Sequence, residues 1–127
     1  MLKKQVIIKK SVIDSIISYC KMLHPREALL ILRGKVKKDL LVIDNLLIPP
    51  FAYSTPFYVG FPTHMLPFDT SIVGTAHSHP NGVAEPSLTD MHNFIGFLSI
   101  IVGYPYEDDD IRAYDSDGNV VRFSIEQ

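Results

Sequence analysis

The stretch SIVGTAHSHPNGVAEPSLTD, residues 71–90, begins as an apolar run and ends with polar groups at fixed intervals. Residues 71–77 read as a strand, Gly82 and Pro86 mark a loop, and a helix is expected from about 87 to 98. A strand bound for a core has no packing reason to carry polar rings on one face, so His77 and His79 ask for a ligand or a reaction. In a strand, residues two apart project to the same side, roughly 7 Å apart along the chain, so these two rings can converge on one ion while Ser78 points the other way. Asp90 follows far enough on for the loop to bring the first helical turn back over the strand end. Two nitrogen donors and one carboxylate leave a tetrahedral ion with one position for water, the pattern of a catalytic rather than a structural zinc site.

Each of these residues also has an ordinary reading. His-x-His occurs near many surfaces and strand ends. Ser87 with an acid three residues later is a capping box for the helix that starts there, and a residue can cap a helix while pointing at a site. A fourth protein ligand is not evident: His92 is turned about 200° from Asp90 on the same helix, and nothing in the spacing of Cys20 or His24 requires them to approach. Cys20 therefore reads as a core thiol, and His24, His64 and His92 as ordinary polar positions.

Outward from this segment, Val6-Ile7-Ile8 reads as a strand, and Ser11 stands where an N-cap would. Val12, Ile13, Ile16, Ile17, Cys20 and Leu23 then follow helical spacing over 11–23, and His24-Pro25 stops that helix. Ala28 to Leu32 are five apolar residues in a row, which predicts a central strand buried on both faces; a charged corner leads to a second strand over 40–48, making a hairpin. Residues 49–69 carry five prolines and aromatics that include Phe51, Tyr53, Phe57, Tyr58 and Phe61, a long connection with one helical turn expected at 63–66. A strand over 99–102 and a closing hairpin, 111–114 with 119–125 turned by Ser116-Asp117-Gly118, complete the pattern. The sum is a mixed sheet flanked by at least two helices, one α/β or α+β domain over 1–127.

Composition narrows the function. Hydrophobic content of 46% over 127 residues suffices for one core. A charge of −2 from 12 basic and 14 acidic side chains argues against a nucleic-acid backbone as the main partner. The single cysteine excludes an internal disulfide framework and a Cys-rich cluster, and suits the cytoplasm. The apolar stretches fall short of the roughly 20 residues needed to span a bilayer, and the N-terminal one is too short for a signal peptide, so no membrane segment is expected.

With Glu27 ahead of the first hydrophobic strand, His77-Ser78-His79-Pro80 and then Ser87-x-x-Asp90, the chain closely resembles the JAMM motif of the MPN+ metallopeptidases, E…H-[ST]-H-P-x(6)-S-x(2)-D. The resemblance runs from the helix before Pro25-Arg26-Glu27 to the final hairpin. It implies a cytidine-deaminase-like fold and a zinc hydrolase of peptide or isopeptide bonds, acting on ubiquitin-like proteins, their conjugates, or sulfur-carrier tails. It also implies that His77, His79 and Asp90 bind Zn²⁺, that Glu27 handles the proton of the water, and that Ser87 helps hold the tetrahedral intermediate. Without the resemblance Glu27 would read as a surface acid or a salt-bridge partner.

One departure stands out. The family pattern E-x-x-G-x-L-x-G has a glycine where this chain carries Leu30, which is expected to alter packing near the cleft. A non-catalytic MPN-type binding module is the rival class, and the full ligand set counts against it. A zinc deaminase would need a Pro-Cys-x-x-Cys pair, which one cysteine cannot supply. Two further expectations concern partners: the aromatic 51–61 stretch either walls a substrate groove or covers the sheet end, and Glu107 to Asp110 either meets a basic partner or is a solvated loop.

Overall fold

The computed structural model describes residues 1–49, 53–54, 59–60, 70–92 and 94–127. The chain opens with strand β1 (Gln5–Lys9), which runs directly into helix α1 (Lys10–Leu23). Lys9, in extended conformation and without a side-chain cap, is the N-cap rather than Ser11; helical geometry begins one residue earlier because the strand feeds it without a loop. Val12, Ile13, Ile16 and Cys20 form the buried stripe of α1 and pack on the sheet. The helix ends before His24-Pro25, as expected.

Strands β2 (Leu29–Val36) and β3 (Leu40–Leu47) form the predicted antiparallel hairpin. Leu29 to Leu32 are all buried, so the central strand is covered on both faces. Ala28, Leu30 and Leu32 belong to the core beneath α1, and Leu30 lies opposite the small Ala76. The leucine that replaces the family glycine thus fills the core on the side away from the histidine rings, so the packing near the cleft is not what it alters. Gly34 sits at a bulge in the β2–β3 ladder, where a β-carbon would lie 1.8 Å from the Val42 carbonyl oxygen. Only a residue without a side chain fits there.

Within the proline-rich connection, β4 (Tyr53–Ser54) and β5 (Val59–Gly60) pair as a short antiparallel hairpin. The helical turn expected at 63–66 and the remainder of the aromatic 51–61 stretch, on which the choice between groove wall and sheet cover depends, lie outside the described residues.

Strand β6 (Ile72–His79) is antiparallel to β2 and parallel to β7 (Leu98–Gly103). Between them α2 (Leu88–His92) is shorter than the helix expected over 87–98. Gly96 ends any helical path, since its φ of +72° is left-handed and a β-carbon there would lie 2.4 Å from the Val73 carbonyl oxygen. Strand β8 (Ile111–Tyr114) pairs with β7 and with β9 (Val120–Val121), and the turn between β8 and β9 includes the predicted Ser116-Asp117-Gly118, with Gly118 at φ +83°.

The predicted strand over 119–125 is in fact two. After Val121 the chain breaks away, and β10 (Ser124–Glu126) pairs in parallel with β1. The eight-stranded sheet has the order β10-β1-β3-β2-β6-β7-β8-β9, so its two ends are strands separated by only three residue steps. Three steps span at most roughly 11 Å. The sheet must therefore curl until its edges nearly meet. Lys9 pairs with Glu126 across the β1–β10 ladder. The N-terminal backbone is tied to the far hairpin through Leu2 N–H, which donates to Asp115 Oδ2 at 3.1 Å.

Candidate metal centre

The end of β6 carries the site. His77 and His79 project to one face, and their Nε2 atoms lie 3.1 Å apart. Ser78 faces the other way and is fully buried, its Oγ accepting the Ala28 N–H at 2.8 Å. The Cys20 thiol lies behind it in the core, pushed up to about 12 by burial, with a hydrogen bond to Ser78 pulling weakly the other way. This confirms Cys20 as packing rather than ligand.

Asp90 arrives from α2. Its Oδ1 is 3.2 Å from His77 Nε2 and its Oδ2 3.2 Å from His79 Nε2. The helix start is fixed by the predicted capping box: Ser87 N–H donates to Asp90 Oδ2 at 2.8 Å, and Asp90 N–H donates to Ser87 Oγ at 3.0 Å. One exchange of hydrogen bonds therefore both starts the helix and aims the carboxylate. Accepting from Asp90 leaves the Ser87 hydroxyl proton available as a donor beside the three groups.

The loop adds a feature that side-chain patterns could not reveal. His79 Nδ1 lies 2.6 Å from the Val83 carbonyl oxygen, which can only accept, so Nδ1 carries the proton. In the neutral ring Nε2 is then a bare lone pair facing an Asp90 oxygen. Two acceptors at 3.2 Å repel unless a positive charge joins them. Electrostatics agree: burial lowers the His79 pKa, but Asp90 and the Val83 carbonyl outweigh it and move it upward. Burial likewise raises Asp90, while hydrogen bonds from His77 and His79 more than offset it and hold the carboxyl well below the usual range. The arrangement favours a positive charge between the imidazoles and Asp90, which a proton or a metal ion would supply.

His77, His79 and Asp90 each offer one ligand atom, all within 4.8 Å of one another, and they are the group of that kind among the described residues. Imidazole nitrogens with one carboxylate suit zinc, and the Val83 carbonyl supplies the outer hydrogen bond that orients a ligating histidine. His24 and His92 do not join them.

Glu27 is half-buried just before β2. The antiparallel ladder pairs Leu29 with His77 and continues as Ser78 N–H donates to Ala28 O, which brings Glu27 level with His79. Directly opposed residues share a face, so Glu27 stands on the histidine side. Its charge is among the influences that raise His79. Sequence spacing alone could not place it, because the pairing joins segments some fifty residues apart.

A curled mixed sheet in which the end of β6 gathers two histidines against an aspartate from α2 defines an α/β metal-binding domain. Residues 9–117 match the model of the prokaryotic homologs of the JAB domain. The chain belongs to that JAB/MPN family. A relative from Haloferax volcanii described as a probable metalloprotease is 39% identical over 104 residues, 76% of this chain. The chain spans 65% of the length of that relative. A solved structure presented as a JAMM metalloprotease-like zinc site in the proteasome and signalosome is 26% identical with a TM-score of 0.72, covering 98% of this chain and all of that one. A JAB1/MPN domain protein from Archaeoglobus fulgidus shares the fold at 24% identity and a TM-score of 0.69, over 97% of this chain and 98% of its own.

Proposed function

We propose that the chain is a zinc-dependent peptidase or isopeptidase, a single catalytic domain over 1–127, that cleaves at the C-terminal tail of ubiquitin-like modifiers or sulfur-carrier proteins. The observation that carries this reading is the convergence of His77 Nε2, His79 Nε2 and the Asp90 carboxylate beside Ser87 and Glu27. The Haloferax relative described as a metalloprotease and the solved metalloprotease-like zinc site support it.

In this reading His77, His79 and Asp90 hold the ion. Bound there, zinc supplies a Lewis acid and lowers the pKa of water to around 7. Glu27, level with His79, accepts a proton from the attacking water on a carboxylate oxygen and releases it to the leaving nitrogen. Ser87 Oγ–H donates to the carbonyl oxygen as charge develops there. Val83 and the capping box keep His79 and Asp90 from rotating away, so the donors are in place before substrate arrives.

The substrate is a protein tail, and the compartment the cytoplasm, in keeping with one buried cysteine. No described helix is long and apolar enough to cross a membrane. The test is incubation with a ubiquitin-like protein joined through its C-terminal glycine, with wild type and Glu27→Gln side by side. Wild type is expected to release the tail, and Glu27→Gln to keep its zinc while losing about 100-fold or more of the rate. Equal rates would assign the proton transfer elsewhere.

A further inference from the structure

Three aromatic rings gather at the mouth of the segment that delivers Glu27. His24 stacks on Tyr104 with centroids 4.6 Å apart and 22° between planes, and meets Tyr106 edge-on at 5.4 Å. Tyr104 and Tyr106 are themselves perpendicular at 5.6 Å. His24 Nδ1 and the Tyr106 hydroxyl are joined at 2.6 Å. None of these residues touches the cation groups through its side chain, yet each is fastened to a segment that does.

His24 lies three residues before Glu27, held at the end of α1 by its N–H donating to Cys20 O at 3.1 Å. Arg26 N–H donates to Leu23 O at 2.9 Å, so the short path from ring to carboxylate is itself ordered. On the other side, Tyr104 N–H donates at 3.1 Å to the carbonyl oxygen of His79. Tyr106 N–H closes the turn onto Gly103 O at 2.8 Å. The 104–106 corner thus grips a metal-ligand segment by its backbone and the Glu27 segment by its rings.

Tyr106 is also placed at a conformational cost. Its φ is +67°, a region that side-chain-bearing residues seldom occupy, and it is 1% exposed. Such backbone persists where the surroundings over-determine it, and it clusters at functional sites. Burial, then the neighbouring Cys20, Tyr104 and Glu27, push its hydroxyl up to about 12, so the phenol stays neutral and able to hydrogen-bond His24. Packing alone would be served as well by phenylalanine.

We propose that His24, Tyr104 and Tyr106 are positioning residues, a clasp that fixes the Glu27 carboxylate relative to His77, His79 and Asp90. This rests on the peptidase reading given above. Loss of the clasp leaves the ion and the substrate surface intact and loosens the base, so it lowers kcat without raising KM. A misplacement on the order of 1 Å can cost about 100-fold in rate.

The experiment compares wild type, Tyr106→Phe, His24→Ala, His24→Asn and Glu27→Gln. The probe is a ubiquitin-like protein bearing a fluorescent amine in amide linkage at its C-terminal glycine. Bound zinc is measured on every sample, and the side-chain methylenes of Glu27 are followed by NMR in metal-free protein. Tyr106→Phe and His24→Ala are expected to lower kcat by about 10- to 100-fold, with KM within about twofold and zinc retained. His24→Asn, whose amide can take the place of Nδ1, restores much of the rate. The Glu27 signals pass from one fixed rotamer to an average in the first two variants.

Unchanged kcat in both variants while Glu27→Gln is inactive overturns the clasp and leaves the peptidase reading standing. Loss of zinc or a rise in KM with kcat preserved also overturns it, by assigning the rings to folding or to substrate contact. If wild type cleaves nothing, the peptidase reading fails by itself, and the Glu27 rotamer decides the clasp: averaging in Tyr106→Phe supports it and a fixed rotamer refutes it.

Discussion

At the scale of single residues, the molecule gives several groups two tasks. Ser87 and Asp90 form a reciprocal cap that starts α2, and the same bonds aim Asp90 at the two imidazoles. The proposed oxyanion role of Ser87 therefore separates from its capping role in their magnitudes. Ser87→Ala is expected to lower kcat by about 100- to 1,000-fold, as when such a donor is removed, while the lost cap lowers stability by only about 1 kcal/mol. Paired kinetics and denaturant unfolding check both; a stability loss without a kinetic one would leave Ser87 a cap alone. The sequence made the convergence of His77, His79 and Asp90 and this cap legible, because a strand alternates its faces and a capping box has a fixed spacing. It concealed Val83, which acts through a carbonyl that every residue possesses. It concealed the part played by His24 as well, whose partners Tyr104 and Tyr106 lie some eighty residues away.

At the scale of elements, hydrophobic periodicity and runs found most of the strands and α1, and the misreadings have definite causes. Helical spacing continued through 94–98, but Gly96 passes too close to the β6 backbone for a helix to persist. The apolar character of 119–125 concealed a change of partner, since Val120 and Val121 pair with β8 while Ser124 to Glu126 pair with β1. Local pattern says that a segment is extended, not which neighbour it joins. The glycine kept at position 34 makes a quantitative point about the β2–β3 hairpin. Gly34→Ala would set a methyl group 1.8 Å from Val42 O, so the ladder must open at the bulge. A loss on the order of 1–3 kcal/mol is expected in urea unfolding. Wild-type stability in this variant would show that the two strands are less closely apposed.

At the scale of the whole molecule, closure of the curled sheet depends on contacts between chain ends. Asp115, buried after β8, accepts hydrogen bonds from the N–H groups of Leu2, Asp117 and Asn119, joining the N-terminal segment to the far hairpin. Burial raises its pKa, but these donors, that of Asn119 foremost, bring the net shift downward. A carboxyl whose pKa falls on folding contributes stability above its unfolded value, about 4, and that contribution fades as the pH drops through the folded value. The stability advantage of wild type over Asp115→Asn is therefore expected to be full at pH 6 and to shrink below about pH 4. Thermal unfolding across pH 2–7 checks this. A gap that stays constant or widens in acid would contradict it.

The proposed activity depends on one cation between β6 and α2. Elemental analysis of protein prepared without chelators tests this most directly, with His77→Ala as the control. One zinc per wild-type chain is expected, with little or none in the variant. Metal-free wild type, or equal zinc in both proteins, would contradict it.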